Sequence, residues 1–390
     1  MPDSLQNHIM IFEPRVVGHH LSWLRYVTED FLNAGFRLTW AVDYRPKAKI
    51  QIQEQLSSLI QHVSVISVFD EANRFRGGSK IRAMGDCMRE SRAREVFLNS
   101  LDEVASNCLR YACMGIYPPR VLRGRLSGVY LRPRFLYNLF LPFGNIIKTI
   151  GFRRLCRHGW FKYIYLLDEY LFKTPHSDFH DTTFYFLPDP WAGDFSHEKI
   201  AARKALEIPE DRFVFLSYGI GDRRKGLHLI VDAMENLSHE SPFFLLCAGR
   251  ITKNRKIIKR LEQLKGRGLA ITLNRYVSDA EEELCFCASD AVILPYIKHF
   301  GSSGVLSRAA ASGTMSIVSD EGLIAKRTRD HNLGLLFQSG NVKALKKSME
   351  IAVNLPEDHK DQFRKSAFKY AGSCSRKAFT KALLLPYLAK

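Results

Sequence analysis

The chain has 390 residues, 46% of them hydrophobic and 25% charged, with a formal net charge of +17. That length exceeds one ordinary hydrophobic core, and the composition excludes a disordered chain. The positive excess attracts nucleic acid, anionic membrane surface or phosphorylated substrates without choosing among them, and a solvated basic surface with no partner is the alternative.

His8 to Glu13 is predicted as a short buried strand, followed by the turn Arg15-Val16-Val17-Gly18-His19-His20. Leu21, Leu24, Tyr26, Val27, Phe31 and Leu32 then recur at helical spacing up to Gly35, a C-cap. Arg37 to Val42 is the next strand, so the chain opens on a β-α-β unit. A helix around Ile50 to Ile60 and strands at Val63 to Val68 and Glu95 to Asn99 continue the alternation.

From Arg120 to Tyr163 the pattern changes. Arg123, Arg125, Arg132, Arg134, Lys148, Arg153, Arg154, Arg157 and Lys162 interleave with Tyr130, Phe135, Tyr137, Leu139, Phe140, Phe143, Phe152 and Trp160. One reading is a basic, aromatic surface that docks on anionic lipid. The other makes the aromatics core and the arginines solvated. Strands at Tyr163 to Leu167 and Phe184 to Leu187 precede Pro188-Asp189-Pro190-Trp191, a rigid break and a natural hinge.

Past residue 200, short apolar strands are predicted at Phe213 to Tyr218, Phe243 to Ala248, Ala270 to Leu273, Ala291 to Leu294, Met315 to Val318 and Leu333 to Phe337. Helices are predicted at Leu227 to Leu237, Ile257 to Leu264, Ala280 to Ala288, Gly304 to Ala311 and Val342 to Val353. Continuous apolar strands alternating with helices imply a parallel sheet covered on both faces. The domains expected are 1–187, 188–356 and a basic helical segment, 357–390, packing back towards the first.

The eight cysteines are scattered, and Cys285 and Cys287 point to different faces of one helix, so they suit reduced thiols better than a metal site. Met1 to Asn7 is polar, which predicts no secretory leader, and no run of about 18 apolar residues predicts a membrane span. The expected location is cytoplasmic, peripheral on a membrane face if the basic stretch docks.

Doubly wound parallel sheets bind ligands beyond the C-terminal ends of their strands. Three loops at such ends are chemically loaded. The first, Gly219-Ile220-Gly221-Asp222-Arg223-Arg224-Lys225-Gly226, joins a strand to a helix. Glycines there admit a ligand close to the backbone, and Arg223, Arg224 and Lys225 neutralise phosphate beside the helix dipole. A solvated basic turn is the alternative, and the GxxxxGK[ST] spacing is absent. The second, Asn274-Arg275-Tyr276-Val277-Ser278-Asp279, starts a helix with acids in its first turn and offers backbone to a nucleobase. The third runs from Pro295 to Gly304, where amides at Gly301, Ser302, Ser303 and Gly304 form an anion site or a plain tight turn ahead of a small-residue helix.

The order of an RKG loop, a Val-Ser-Asp-acidic helix start, strand-Pro-Tyr, Phe-Gly, a small-residue helix, Gly-Thr, strand and Ser319-Asp320-Glu321-Gly322 resembles the retaining glycosyltransferases of family 4, within glycosyl transferases group 1. The resemblance covers about residues 185 to 355, with the domain entry Lys204 to Arg212, and touches the first half only at Gly18-His19-His20 and the helix behind it. It implies the GT-B architecture, two Rossmann-like doubly wound α/β domains facing across a cleft. It also implies a nucleotide-sugar donor (UDP-, GDP- or ADP-linked) bound by the second domain and an acceptor bound by the first, through Gly18, His19, His20 and Asp102. The reaction implied is retaining hexose transfer without metal or other cofactor, in bacterial polysaccharide or glycolipid synthesis.

Carried over by position, Lys225 and Arg224 grip the diphosphate, with Gly219, Gly221, Arg223 and the Gly301 to Gly304 turn, while Arg275, Tyr276 and Val277 meet the nucleoside. Ile220 stands where the family has an arginine. The family's paired glutamates fall on His299 and Ser307, neither acidic; the resemblance puts His299 at the donor sugar and Ser307 at the ribose. Their loss motivates a rival reading, a degenerate GT-B protein acting as a binding or scaffolding module. Nucleic acid, suggested by charge alone, ranks last.

Overall fold

The computed structural model describes residues 7–136, 143–172, 182–235, 237, 241–251 and 254–388. The chain divides into two compact units, Met1–Leu187 with Thr380–Lys390, and Pro188–Phe379.

The first unit contains β1 (His8–Glu13), α1 (His19–Asn33), β2 (Arg37–Val42), α2 (Pro46–Ile60), β3 (Ser64–Ser67), α3 (Lys80–Ser91), β4 (Glu95–Leu98), α4 (Asp102–Cys113), β5 (Leu126–Tyr130), α5 (Phe143–Arg157), β6 (Phe161–Leu166), α6 (Glu169–Phe172) and β7 (Thr183–Phe186). Its seven strands lie in the order β3-β2-β1-β4-β5-β6-β7, every pairing parallel. Every residue of β1 is buried, as a strand covered on both faces requires. On one face Met10, Phe12, Val96 and Leu98 meet Met84, Leu109 and Phe152. On the other, Phe31, Phe97 and Tyr387 pack edge to face, with Phe31 centroids 5.4 Å from Phe97 and 5.0 Å from Tyr387.

The second unit contains α7 (Lys199–Ala205), β8 (Phe213–Tyr218), α8 (Leu227–Met234), β9 (Phe243–Ala248), α9 (Arg255–Gly266), β10 (Ala270–Leu273), α10 (Asp279–Cys287), β11 (Ala291–Leu294), α11 (Gly304–Ala311), β12 (Met315–Ser319), α12 (Gly322–Asp330), β13 (Gly334–Phe337), α13 (Val342–Val353) and α14 (Glu357–Ser373). The sheet order is β10-β9-β8-β11-β12-β13, again all parallel. Asp290 anchors the entry to β11. It accepts from Arg203 at 2.5 Å, from Lys199 at 2.8 Å and from the Val214 amide at 2.7 Å.

Two sequence expectations change. The segment 357–390 is divided: α14 lies in the second unit, where Ala367, Tyr370 and Ala371 join its core, and α15 (Arg376–Leu388) starts there. From Thr380 on, α15 belongs to the first unit, where the Leu383 carbonyl accepts from Tyr165 at 2.6 Å. In the stretch from Arg120 to Tyr163, Tyr130, Phe135, Phe152 and Trp160 are core residues, so the expected aromatic surface is not built from them. Tyr137, Leu139 and Phe140, and the side chains of Arg134 and Phe143, lie outside what is described. All eight cysteines are free thiols, buried or half-buried. Among the described residues no helix is long and apolar enough to cross a membrane.

Candidate functional site

In each sheet the strand order reverses once, at β1/β4 and at β8/β11. These switch points open crevices at the strands' C-terminal ends. In the second unit the two loops flanking the switch point are the basic loop after β8 and the turn after β11.

The basic loop is held from both sides. The Gly219 amide bonds the Ala248 carbonyl at 2.8 Å, and Gly221 bridges to Ile251. Asp222 accepts from the Lys225 amide at 2.7 Å, closing the turn, and the Arg224 carbonyl accepts from the Ile297 amide at 2.9 Å. The Lys225 ammonium stands over Tyr296, 5.3 Å from the ring centroid. It also lies 2.8 Å from where a Cβ on Gly219 would stand, so that position admits no side chain without moving the lysine. Among the described residues Lys225 has no carboxylate partner. Arg223 is exposed, and Arg224 lies 3.8 Å from Asp222.

His299, in the turn after β11, is 7% exposed and uses both ring nitrogens. Nε2 lies 3.1 Å from the Ser302 carbonyl, and Nδ1 lies 3.0 Å from the Arg224 guanidinium. As the ring stands, neither nitrogen is available to a sugar, the contact expected from the resemblance. Ser303 is the N-cap of α11 and makes no side-chain cap bond; its hydroxyl faces that of Tyr296 at 3.3 Å. Gly301 and Gly304 frame the turn.

Sequence reasoning missed the group beneath this turn. The Ser302 hydroxyl donates to Asp189 at 2.9 Å and accepts from Arg327 at 2.7 Å. Burial raises the Asp189 carboxyl, against the Ser302 hydrogen bond and the charges of Arg327 and Arg308. Arg308 bonds Glu282 at 2.5 Å, and Glu282 accepts from Tyr218 at 2.5 Å. Ser307 is fully buried and donates to the Asp189 carbonyl at 2.9 Å, which commits the hydroxyl expected at the ribose.

In the loop after β10, Tyr276 is 65% exposed and Val277 is buried in the core. Arg275 pairs with Glu281 through contacts of 2.8 Å and 2.5 Å, and Ser278 and Glu281 form a capping box. The Arg275 side chain first, then the Ser278 amide, lowers Glu281 from 4.5 to about 2. A depressed carboxyl adds stability above its unfolded pKa, and loses it as pH falls from 4.5 through about 2. The pair is exposed, so solvent screening keeps its contribution small. Glu281→Gln is expected to lower the neutral-pH Tm by about 1–2 °C, a difference that thermal denaturation should find shrinking across that acidic window.

In the first unit, Gly18 precedes α1, with nothing within 4 Å of where its Cβ would stand. The His19 side chain lies outside what is described. His20 donates through Nδ1 to the buried Glu13 at 3.1 Å, and burial raises the Glu13 carboxyl. Asn99, at the end of β4, is 2% exposed, and its amide has no partner among the described residues. Asp102 spends its carboxylate on the amides of Leu131 at 2.7 Å and Arg132 at 3.1 Å, bracing the end of β5. Among the described residues no group of three or more His, Cys, Asp or Glu side chains converges as a metal site.

Residues 198–370 match the family model of glycosyl transferases group 1. The comparison with curated proteins returns no match. Among solved structures, a glycosyltransferase from Rickettsia africae matches with a TM-score of 0.67 at 13% identity, covering 97% of each chain. Sucrose-phosphate synthase from Thermosynechococcus elongatus matches with a TM-score of 0.68 at 14% identity, covering 98% of each chain. HepE from Anabaena, solved with UDP and glucose, matches with a TM-score of 0.67 at 12% identity, covering 98% of this chain and 100% of its own. The chain therefore has the GT-B fold of two α/β domains and carries a group 1 glycosyltransferase domain.

Proposed function

We propose that this glycosyltransferase moves a hexose from a nucleotide-sugar donor to an acceptor hydroxyl, with retention of configuration, by the chemistry of family 4. The observation that carries the reading is Lys225. It is a half-buried ammonium fixed over Tyr296 at the β8/β11 switch point, without a carboxylate partner among the described residues. Such a cation is placed to meet an anion. When the glycosidic bond breaks, negative charge grows on the leaving diphosphate. Lys225, Arg224, Arg223 and the amides of the Gly301 to Gly304 turn stabilise it, which is electrostatic catalysis and needs no carboxylate nucleophile or metal. The exposed backbone and ring of Tyr276 receive the nucleoside. HepE was solved with UDP-glucose, which supports a UDP-sugar as the first donor to try.

The acceptor side is assigned to the β1/β4 crevice of the first unit, with Gly18, His20 and Asn99 at its wall. Calorimetry of the full chain against UDP-, GDP-, ADP- and CDP-sugars with chelator present tests the reading. Binding of one class is expected, followed by transfer whose product keeps the donor's anomeric configuration by NMR. Absence of binding by every class would favour the scaffolding alternative.

A glycan or lipid-linked acceptor in polysaccharide or glycolipid synthesis fits a peripheral position on an anionic membrane. With the aromatics in the core, the supporting surface is narrower. Ile146 and Ile150, 44% and 41% exposed, share one face of α5 beside the exposed Arg153, Arg154 and Arg157. Each basic residue near such a surface contributes about 1 kcal/mol. In vesicle co-sedimentation the chain is expected to bind anionic but not neutral vesicles. Arg153→Glu with Arg154→Glu should weaken binding by about tenfold or more, and added salt should weaken it further. No binding at low salt rules docking out.

A further inference from the structure

His299 stands after Lys298, whose φ of 51° turns the chain so that the imidazole enters the fold. Its ring meets Tyr296 edge to face, centroids 5.0 Å apart. A carbonyl oxygen only accepts, so the 3.1 Å contact with the Ser302 carbonyl puts the proton on Nε2. A guanidinium only donates, so the 3.0 Å contact with Arg224 requires a lone pair on Nδ1. One of the three states of the ring satisfies both bonds, the neutral Nε2–H tautomer. The other neutral tautomer sets two acceptors against each other at Ser302 and two donors at Arg224. The imidazolium keeps the Ser302 bond but meets Arg224 proton to proton and charge to charge.

We propose that His299 is a positioning residue, which in its neutral Nε2–H form locks the Arg224 side chain of the basic loop onto the turn that starts α11, so that diphosphate affinity is high only while the ring stays neutral. The consequence for affinity rests on the donor reading above; the lock itself does not. The charged surroundings come from each element that packs here. Arg224, Asp222 and Lys225 belong to the basic loop, and Asp222 lies 3.8 Å from Arg224. Lys298 adjoins the ring in sequence, and Glu321, before α12, accepts from the Lys298 amide at 3.2 Å. Asp189 and Arg327 sit behind Ser302, both bonded to its hydroxyl. The backbone already joins loop and turn through Arg224 and Ile297, so His299 adds control of the side chain alone. A guanidinium held in place loses less freedom when a diphosphate arrives.

The test uses the full chain, its His299→Ala and His299→Gln variants, and UDP, GDP and ADP as probes. The glutamine side chain of the second variant can donate through its amide nitrogen to the Ser302 carbonyl and accept from Arg224 through its oxygen. Nitrogen-15 histidine NMR without ligand is expected to report an unprotonated Nδ1 and a protonated Nε2 for His299, and exchange of the Arg224 Nη1–H that meets Nδ1 is expected to be slow in wild type and His299→Gln but fast in His299→Ala. Calorimetry is expected to show His299→Ala binding the preferred diphosphate about tenfold more weakly than wild type. Between about pH 8 and about pH 5, where imidazoles titrate, wild-type affinity should fall relative to His299→Gln, a comparison that removes the titration of the ligand's own phosphate. A protonated Nδ1, unchanged affinity in His299→Ala, or equal acid sensitivity in wild type and His299→Gln overturns the proposal. If wild type binds none of the three diphosphates, the donor reading and the affinity claim fall with it, and the tautomer and Arg224 exchange alone decide whether the lock exists.

Discussion

Lys225→Ala is expected to weaken binding of the donor diphosphate by about 2–5 kcal/mol, the cost of removing one partner from a desolvated charge pair. The three cations of the basic loop differ in what already holds them. Arg223 is exposed, and Arg224 has Asp222 at 3.8 Å and the His299 ring at 3.0 Å. Lys225 has the face of Tyr296 beneath it and Gly219 beside it, and among the described residues no carboxylate. Its charge is therefore the least compensated, and a bound anion gains most from it. Arg223→Ala should cost far less, since solvent screens an exposed cation. Calorimetry with the nucleoside diphosphate, alongside circular dichroism to confirm the fold, reads both variants. Equal losses in the two, or no loss in Lys225→Ala, would sink the assignment.

What the sequence makes legible follows from what its elements bury. Strands β8, β9, β10 and β11 begin and end at the residues that the apolar runs predict, because parallel strands covered on both faces carry no alternation to confuse the reading. The loaded loops are legible for the same reason, since whatever follows such a strand stands at the ligand-binding edge. Strand β5 is not legible. It has five residues, Ser127 and Gly128 interrupt it, and it lies inside the arginine-rich stretch read as a candidate surface. Interleaved arginines and aromatics look alike in sequence whether the rings face lipid or core, and for Tyr130, Phe135, Phe152 and Trp160 burial decides for core. In the site, residue types and positions are legible but partners are not. Asp189 and Ser302 are 113 residues apart, and no periodicity joins them. His299 looks like a residue offered to a sugar until Arg224 and Ser302 are seen to occupy its two nitrogens.

Gly226→Ala tests whether the basic loop must lie against the β11 turn. Gly226 caps α8 with φ 72°, a left-handed conformation that costs a residue with a Cβ about 1–2 kcal/mol. A Cβ there would stand 1.9 Å from the Pro295 carbonyl oxygen and 2.9 Å from its carbon. These are backbone atoms at the end of β11, which cannot swing aside as a side-chain tip would, and overpacking of that kind adds about 1–3 kcal/mol. The expected loss is therefore about 2–5 kcal/mol of stability in the second unit. Relief of the clash would push the loop off the turn and lengthen the 2.9 Å bond between the Ile297 amide and the Arg224 carbonyl, so diphosphate affinity should fall as well. Gly268→Ala isolates the first contribution, because Gly268 has φ 66° but nothing within 4 Å of its Cβ position. Urea denaturation should find Gly226→Ala the more destabilised of the two, by the overpacking increment, with donor affinity reduced in that variant alone. Equal destabilisation of the two variants would mean that the close approach of Gly226 to Pro295 does not hold the loop.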